Sequence, residues 1–396
     1  MRERPDGARR MDAPMALILL TVVIDLIGFG IVLPILPLWA HHFGANATEI
    51  GILSATYALM QVIFAPLWGR LSDRIGRRPV ILVTLLGSCV SAFMIGIAHT
   101  LLLLFIARII NGVSGASYAT AQAYVADITT EESRARGMGL IGAAFGIGFI
   151  IGPAIGALLS LISDAAPFFF ASGLAAVNLV LAWRLLPESL RPGSPTAPMG
   201  RWEMMRHALT SRRLAPLVWL SFIATFAFVG MEATFALLGS YRFGYGEAQM
   251  GMLFAFAGVA AAVGQGLLVG RAVARYGETQ VMLWGLIGTA VGLALLAVAF
   301  NIAVVLLALA ILGVFSGLAF ATISALISHA APVDMQGGVL GVAASAGGMA
   351  RVVGPVVAGA LFQYINPSAP LVFGAILAAF CVVVATRSIL RPAAAA

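Results

Sequence analysis

The chain has 396 residues, 61% of them hydrophobic and only 10% charged, with a formal net charge of +7. A soluble protein of this length could not hide so much apolar surface in one core, and apolar runs of about 20 residues recur along the whole chain instead of forming one leader before a soluble domain. All 23 basic residues are arginine, spread over short loops and not gathered on one surface, which speaks against a nucleic-acid partner.

Hydropathy predicts helices at about 15–39, 49–68, 79–98, 101–126, 137–160 and 165–186, then at about 214–238, 248–269, 280–299, 302–329, 338–363 and 368–388. The fold class expected is an all-α membrane protein of twelve transmembrane helices in two six-helix bundles. The expected division is a tail 1–14, a bundle 15–186, a linker 187–213, a bundle 214–388 and a tail 389–396. Twelve spans put both termini on one side. Twenty arginines then fall on that side, Arg242 alone on the other, and Arg108 and Arg351 inside spans. The positive-inside rule makes the arginine-rich side, with both termini, cytoplasmic. The protein is expected to be multi-pass in the cell's inner membrane.

Helix 1 carries Asp25 about ten residues in, near mid-membrane at about 1.5 Å per residue. An ionisable group there is costly and marks a functional position by default. Arg108 enters helix 4 from the opposite side and reaches comparable depth. The two read either as a structural salt bridge or as a proton-linked pair.

Between helices 2 and 3 runs Gly69-Arg70-Leu71-Ser72-Asp73-Arg74-Ile75-Gly76-Arg77-Arg78-Pro79. The glycines permit a tight connection and Asp73 can accept backbone hydrogen bonds. Charge alone would require neither. Helix 5 has Gly148, Gly152, Pro153 and Gly156, and helix 11 has Gly354-Pro355. These read equally as hinges or as close helix packing. Gln61, Asn111, Gln122 and Gln265 read as polar cavity lining or as helix–helix contacts. Glu232, expected towards the outer end of helix 7, and Arg351, nearer the middle of helix 11, are the other intramembrane charges and join the candidate cavity.

The linker has a Pro-Gly-Ser-Pro part, Pro192–Pro198. After it, Trp202, Met205 and Leu209 fall at helical spacing beside Arg206, Arg212 and Arg213, which suits an amphipathic helix on the inner membrane surface. The halves repeat: Gly69-Arg70 and Gly270-Arg271 lie 201 apart, Gly112 and Gly313 also 201, and Gly152-Pro153 and Gly354-Pro355 202. Duplicated six-helix units commonly hold a site between them at mid-membrane and expose it alternately to each side.

Cys89 and Cys381 lie in apolar runs and read as buried thiols without a disulfide. The histidines show no metal-ligand spacing. Asn46-Ala47-Thr48 matches a glycosylation triplet that is frequent by chance. Without lysine, the chain cannot carry the Gly-Lys-Ser/Thr nucleotide loop. No cofactor or metal is expected, and no nucleophile or cofactor constellation suggests an enzyme.

The loop between helices 2 and 3 resembles the signature of the major facilitator superfamily, Gly-x-x-x-Asp-Arg-x-Gly-Arg-Arg, through Gly69, Asp73, Arg74, Gly76, Arg77 and Arg78. Arg108-x-x-x-Gly112 is similar to the family's fourth-helix motif. Gly148-x-x-x-Gly152-Pro153-x-x-Gly156 is similar to the helix-5 motif of its drug:proton antiporters. Asp25-Leu-Ile-Gly and Tyr124-Val125-Ala126-Asp127-Ile128-Thr129 resemble tetracycline-type exporters. The resemblance covers essentially the whole chain. It implies proton-coupled export of small molecules, a loop that latches the outward-facing state, and a fourth-helix arginine that assists proton transfer. Those exporters also carry acids in helices 3 and 9 and a histidine in helix 8. Here Val80–Ala98 and Gln280–Ala299 contain no acid and Met252–Val269 no histidine. The substrate expected is therefore another amphipathic drug or metabolite. The partners expected are that solute, protons and the bilayer, with the chain a monomer. The alternatives are a proton-linked uptake symporter for a small polar solute and, from another class, a non-transporting receptor or membrane enzyme.

Overall fold

A computed structural model of the chain describes residues 13–115, 117–190, 201–211, 213–332 and 335–387. The tail arginines Arg2, Arg4, Arg9 and Arg10, the linker part Pro192–Pro198, Arg191, Arg212 and Arg391, and the side chain of Trp202 lie outside the described residues.

The spans are α1 Ala13–His42, α2 Ala47–Ile75, α3 Arg77–Gly96, α4 Leu101–Ile128, α5 Glu131–Ser160, α6 Ala166–Leu185, α7 Leu214–Phe243, α8 Glu247–Tyr276, α9 Glu278–Ala297, α10 Ile302–Ala330, α11 Gln336–Tyr364 and α12 Ala369–Ala385. Arg201–Thr210 forms the short helix expected in the linker. Among the described residues eleven helices are long and apolar enough to cross a membrane, and α12 is a shorter apolar helix. No described residue is in a strand. The architecture is the twelve-helix membrane fold expected from hydropathy.

Local chemistry sets the turns. Asn46 caps α2 through a reciprocal box, accepting from Glu49 N at 3.0 Å while Glu49 accepts from Asn46 N at 2.9 Å. Thr100 and Asn301 cap α4 and α10 by a single side-chain bond each, accepting from Leu103 N and Val304 N. The left-handed glycines fall in pairs. Gly44 and Gly244 close the α1–α2 and α7–α8 turns, and Gly76 and Gly277 the α2–α3 and α8–α9 turns. The turns therefore repeat with nearly the same period as the sequence motifs.

Two spans are irregular in ways that hydropathy does not reveal. α4 is built from Leu101–Ser114 and Ser117–Ile128, and α8 contains a π-helical stretch, Val263–Leu268.

The glycines of α5 pack it onto α1. A Cβ on Gly152 would fall 2.7 Å from Gly30 Cα and from Ile27 O, and one on Gly30 would fall 2.6 Å from Gly148 O. The other face of α5 meets the second half, where a Cβ on Gly251 of α8 would lie 2.9 Å from Pro153 O. α11 repeats the arrangement, with Gly354 facing Phe226 of α7 and Pro355 O against Gly51 of α2. The most extensive cross-half contacts are thus α5 on α8 and α11 on α2, and α1 also touches α7 and α8.

The core is continuous at one end and divided at the other. At the arginine-poor end one apolar cluster joins both halves, from Ile35, Leu53 and Phe168 to Phe235, Leu253 and Leu309. At the arginine-rich end the first half packs around Ile81, Tyr124 and Ile141, and the second separately around Met282, Ile323 and Val339. Ala47 N donates to Gln363 Oε1 at 3.3 Å, and His42 Nε2 lies 3.6 Å from Glu247 Oε1, so polar contacts also cross the halves at the closed end. Towards the arginine-rich end, a Cβ on Gly142, Gly146, Gly266, Gly337 or Gly341 would meet nothing within 4 Å. The cleft between the halves opens on that side.

Candidate functional site: a charged cavity between the halves

Where the divided core meets the continuous one, the structure encloses a cavity of about 330 Å³. It is walled by all six helices α1–α6 of the first half and by α7 and α11 from the second. Most of its wall is apolar, with Phe29, Leu33 and Phe145 among the larger side chains. Asp25, Arg108, Gln61, Asn111, Glu232 and Arg351 all line it, so six of the eight residues expected at the proton and cavity sites come together. Gln122 and Gln265 do not line it. Gln122 is half-buried and bonded to Tyr118, and Gln265 sits exposed in the π-helical stretch of α8.

Asp25 and Arg108 share this cavity, but no ion pair joins them among the described residues. Asp25 Oδ2 instead accepts from Ser117 Oγ at 2.6 Å. Arg108 is 6% exposed and lies over the Tyr57 ring, 4.5 Å from its centroid, a cation–π contact that substitutes for a carboxylate partner. Tyr57 stands within electrostatic reach of Asp25, Arg108 and Arg351 together. The salt-bridge reading is thereby corrected: the two side chains line one cavity, but the Tyr57 ring and not the Asp25 carboxyl lies beside the guanidinium.

The break in α4 is tied into the site. Gly115 O, at the end of the first segment, accepts from Gln61 Nε2 at 2.9 Å, and Val113 O accepts from Trp68 Nε1 at 2.6 Å. Ser117, the first residue of the second segment, holds Asp25. Asn111 Nδ2 donates to Ser91 Oγ at 2.8 Å. Glu232 is 7% exposed and lies on the cavity wall near Arg351, which acts on it electrostatically without forming an ion pair. Sequence reasoning missed Tyr57 and Ser117. Their one available signal was helical spacing: Tyr57 lies one turn before Gln61.

At the arginine-rich end the α2–α3 loop is held by Arg77. Its Nη1 lies 2.6 Å from Asp73 Oδ1, its Nε lies 3.0 Å from Asp127 Oδ2 at the end of α4, and Nη1 also donates to Ser72 Oγ at 2.6 Å. Glu188, beyond α6, accepts from Arg77 N at 2.8 Å and from Arg78 N at 3.1 Å, satisfying the open N-terminus of α3. Arg78 also donates to Trp183 O. Gly76 adopts φ 105 in the turn, while Gly69 and Arg74 face open space. Every partner of this loop named here belongs to the first half, apart from Glu188 at the start of the linker. Gly148, Gly152, Pro153, Gly156, Gly354 and Pro355 are close-packing positions in this conformation, as described above.

Comparison with known proteins agrees with this architecture. The sequence profile of the Major Facilitator Superfamily matches residues 18–268 and 240–396. The chain is 34% identical over 360 residues to the class C tetracycline resistance protein of Escherichia coli, covering 88% of this chain and 89% of that protein. It is 29% identical over 367 residues to multidrug resistance protein 1 of Bacillus subtilis, covering 91% of this chain and 92% of that one. Among solved structures, the nucleoside transporter NupG superposes with a TM-score of 0.74 at 15% identity, over 95% of this chain and 98% of that one.

Proposed function

The chain belongs to the Major Facilitator Superfamily, and from that premise we propose that it exports small amphipathic drugs or metabolites in exchange for protons. It is a multi-pass membrane transporter and not an enzyme. Its solute is taken up in the cavity between the halves and released on the far side when they rock about it.

The observation that carries the reading is Asp25: a carboxyl on a mid-membrane cavity wall, held by one serine hydroxyl, in a chain with no lysine and hence no nucleotide loop of that type. Asp25 takes up a proton from the outside and releases it inside. A change of exposure, or of distance to Arg108, between the two states changes its proton affinity and links proton flow to the solute. Arg108 and Tyr57 set the field around it. The mainly apolar wall supports an amphipathic solute over a sugar-like one, which would need more hydrogen-bonding groups. The uptake reading is not favoured.

The distribution of loop arginines supports an inner-membrane orientation with both termini and residues 187–213 in the cytoplasm. In that orientation the conformation described here is open to the cytoplasm. The protein acts as a monomer, each chain holding a whole cavity. Tetracycline itself is not the expected solute, because the acids of helices 3 and 9 and the helix-8 histidine that accompany the resemblance are missing. The test is a substrate screen in an efflux-deficient host, with proton flux recorded in proteoliposomes. Resistance to at least one amphipathic compound, with substrate-dependent proton movement, is expected. Solute accumulation in the cells, or efflux without proton movement, would contradict the reading.

A further inference from the structure

Two deeply buried charged side chains on the cavity wall make no hydrogen bond or ion pair among the described residues. Arg108, from the first half, is 6% exposed and makes no hydrogen bond or ion pair among the described residues. Its Nε is enclosed without an acceptor, and the Tyr57 ring face is its neighbour. Glu232, from the second half, is 7% exposed, and its Oε1 is enclosed without a donor. The other two charges differ. Asp25 is engaged by Ser117, and Arg351 is only half-buried. The cavity thus contains two carboxyls and two guanidinium groups, formally neutral in sum, with one deeply buried, unbonded group of each sign on opposite halves.

Buried ionised groups without partners are costly, and ones that persist in a cavity wall are candidates for pairing with a ligand. A cationic solute would satisfy Glu232 and leave Arg108 unmatched. An anionic one would do the reverse. We infer that the cavity takes a dipolar amphipathic solute, whose anionic group pairs with Arg108, whose cationic group pairs with Glu232, and whose apolar body lies against Phe29 and Phe145. This deepens the transporter reading and rests on it for the cavity being the transport site. It has a mechanical consequence. Because the two poles contact different halves, a bound solute links them across the cleft, whereas a singly charged analogue engages one half electrostatically.

Binding of three probes that share a fluorophore tests this: Nε-dansyl-lysine, which carries both charges, its methyl ester, which is a cation, and its Nα-acetyl derivative, which is an anion. The full chain in lipid nanodiscs is titrated with each at pH 7. The zwitterion is expected to bind at least about tenfold tighter than either relative, a gap of about 1.4 kcal/mol. Arg108→Gln should close the gap to the methyl ester, and Glu232→Gln the gap to the acetyl derivative. The charge-retaining variants Arg108→Lys and Glu232→Asp should keep both gaps, which separates charge recognition from misfolding. Equal affinities for the three probes, a preference for either singly charged form, binding by none of them, or a zwitterion preference that survives both neutral variants would each overturn the inference. The two readings fail separately. Proton-coupled efflux with charge-indifferent binding sinks this one alone, and a zwitterion preference without proton movement sinks the antiport alone.

Discussion

Arg77 carries more of the α2–α3 loop than the aspartate beside it. One guanidinium engages Asp73, Asp127 and Ser72, and the backbone at its base is capped by Glu188. Arg77→Gln strips Asp127 of its charge partner and leaves it the Ser189 hydroxyl at 3.2 Å. The loss of a hydrogen-bonded charge pair of this kind costs about 1.5–3 kcal/mol, so the variant should unfold earlier in a detergent thermal melt. Arg77→Lys should rescue it poorly, because a single ammonium cannot span three acceptors. Asp73 is half-exposed, and its pairing four residues along the chain is worth only about 0.2–0.5 kcal/mol. Asp73→Asn should therefore fold and insert normally while slowing transport, since so small a term can still tilt a conformational balance. Initial uptake rates in proteoliposomes check this, and a wild-type rate would reduce the loop to a topology signal. The loop's charged residues were legible because their spacing is fixed along one segment. Asp127 and Glu188 were not assigned to it, because they arrive from the ends of α4 and α6 through packing. Tyr57 was missed for the same reason, since a ring can replace a carboxylate beside Arg108 only where helix rotation puts it there.

The pairing of α5 with α1 shows what small residues achieve in a membrane, where close backbone approach replaces the hydrophobic effect as the main source of association. Gly152→Ala would place a Cβ 2.7 Å from Gly30 Cα, a contact with backbone that cannot swing aside. Overpacking of this kind costs about 1–3 kcal/mol, so the thermal midpoint should fall. Gly142→Ala on the same helix meets nothing within 4 Å and should leave the midpoint unchanged or raise it slightly. Equal behaviour of the two would mean that the α1–α5 contact is not tight. The glycine face of α5 was visible in sequence, but hinge and packing could not be separated there, because both need small residues at the same spacing. The break in α4 was less visible still. Its 28 residues read as one apolar run, and the Gly115 carbonyl accepts from Gln61 of another helix. A tertiary partner makes that irregularity tolerable, and local propensity does not record it.

At the scale of the molecule, the single core at the arginine-poor end and the two separate cores at the other make a vessel open on one side. Hydropathy and arginine placement were enough to anticipate twelve spans and two repeats. Which end is closed depends on side-chain contacts between halves, and those have no periodic signature. With the arginine-rich end in the cytoplasm, a cysteine placed at Gly142 or Ser194, in a chain lacking Cys89 and Cys381, should react with a membrane-impermeant maleimide in inside-out vesicles and not in intact cells. Labelling of Ser194→Cys from outside would reverse the topology. Alternating access then requires the contacts of Gly251 with Pro153 and of Gly51 with Pro355 to part while the arginine-rich ends of the halves close. The proton must be carried by a group the cavity exposes to each side in turn. The most direct test of the account is solute transport against a gradient by Asp25→Asn in proteoliposomes with an imposed pH gradient, read together with proton flux. The account predicts that gradient-driven transport and substrate-dependent proton movement are both lost while solute binding or passive exchange remains. Transport by Asp25→Asn at the wild-type rate and proton stoichiometry would contradict it and pass the role to Glu232.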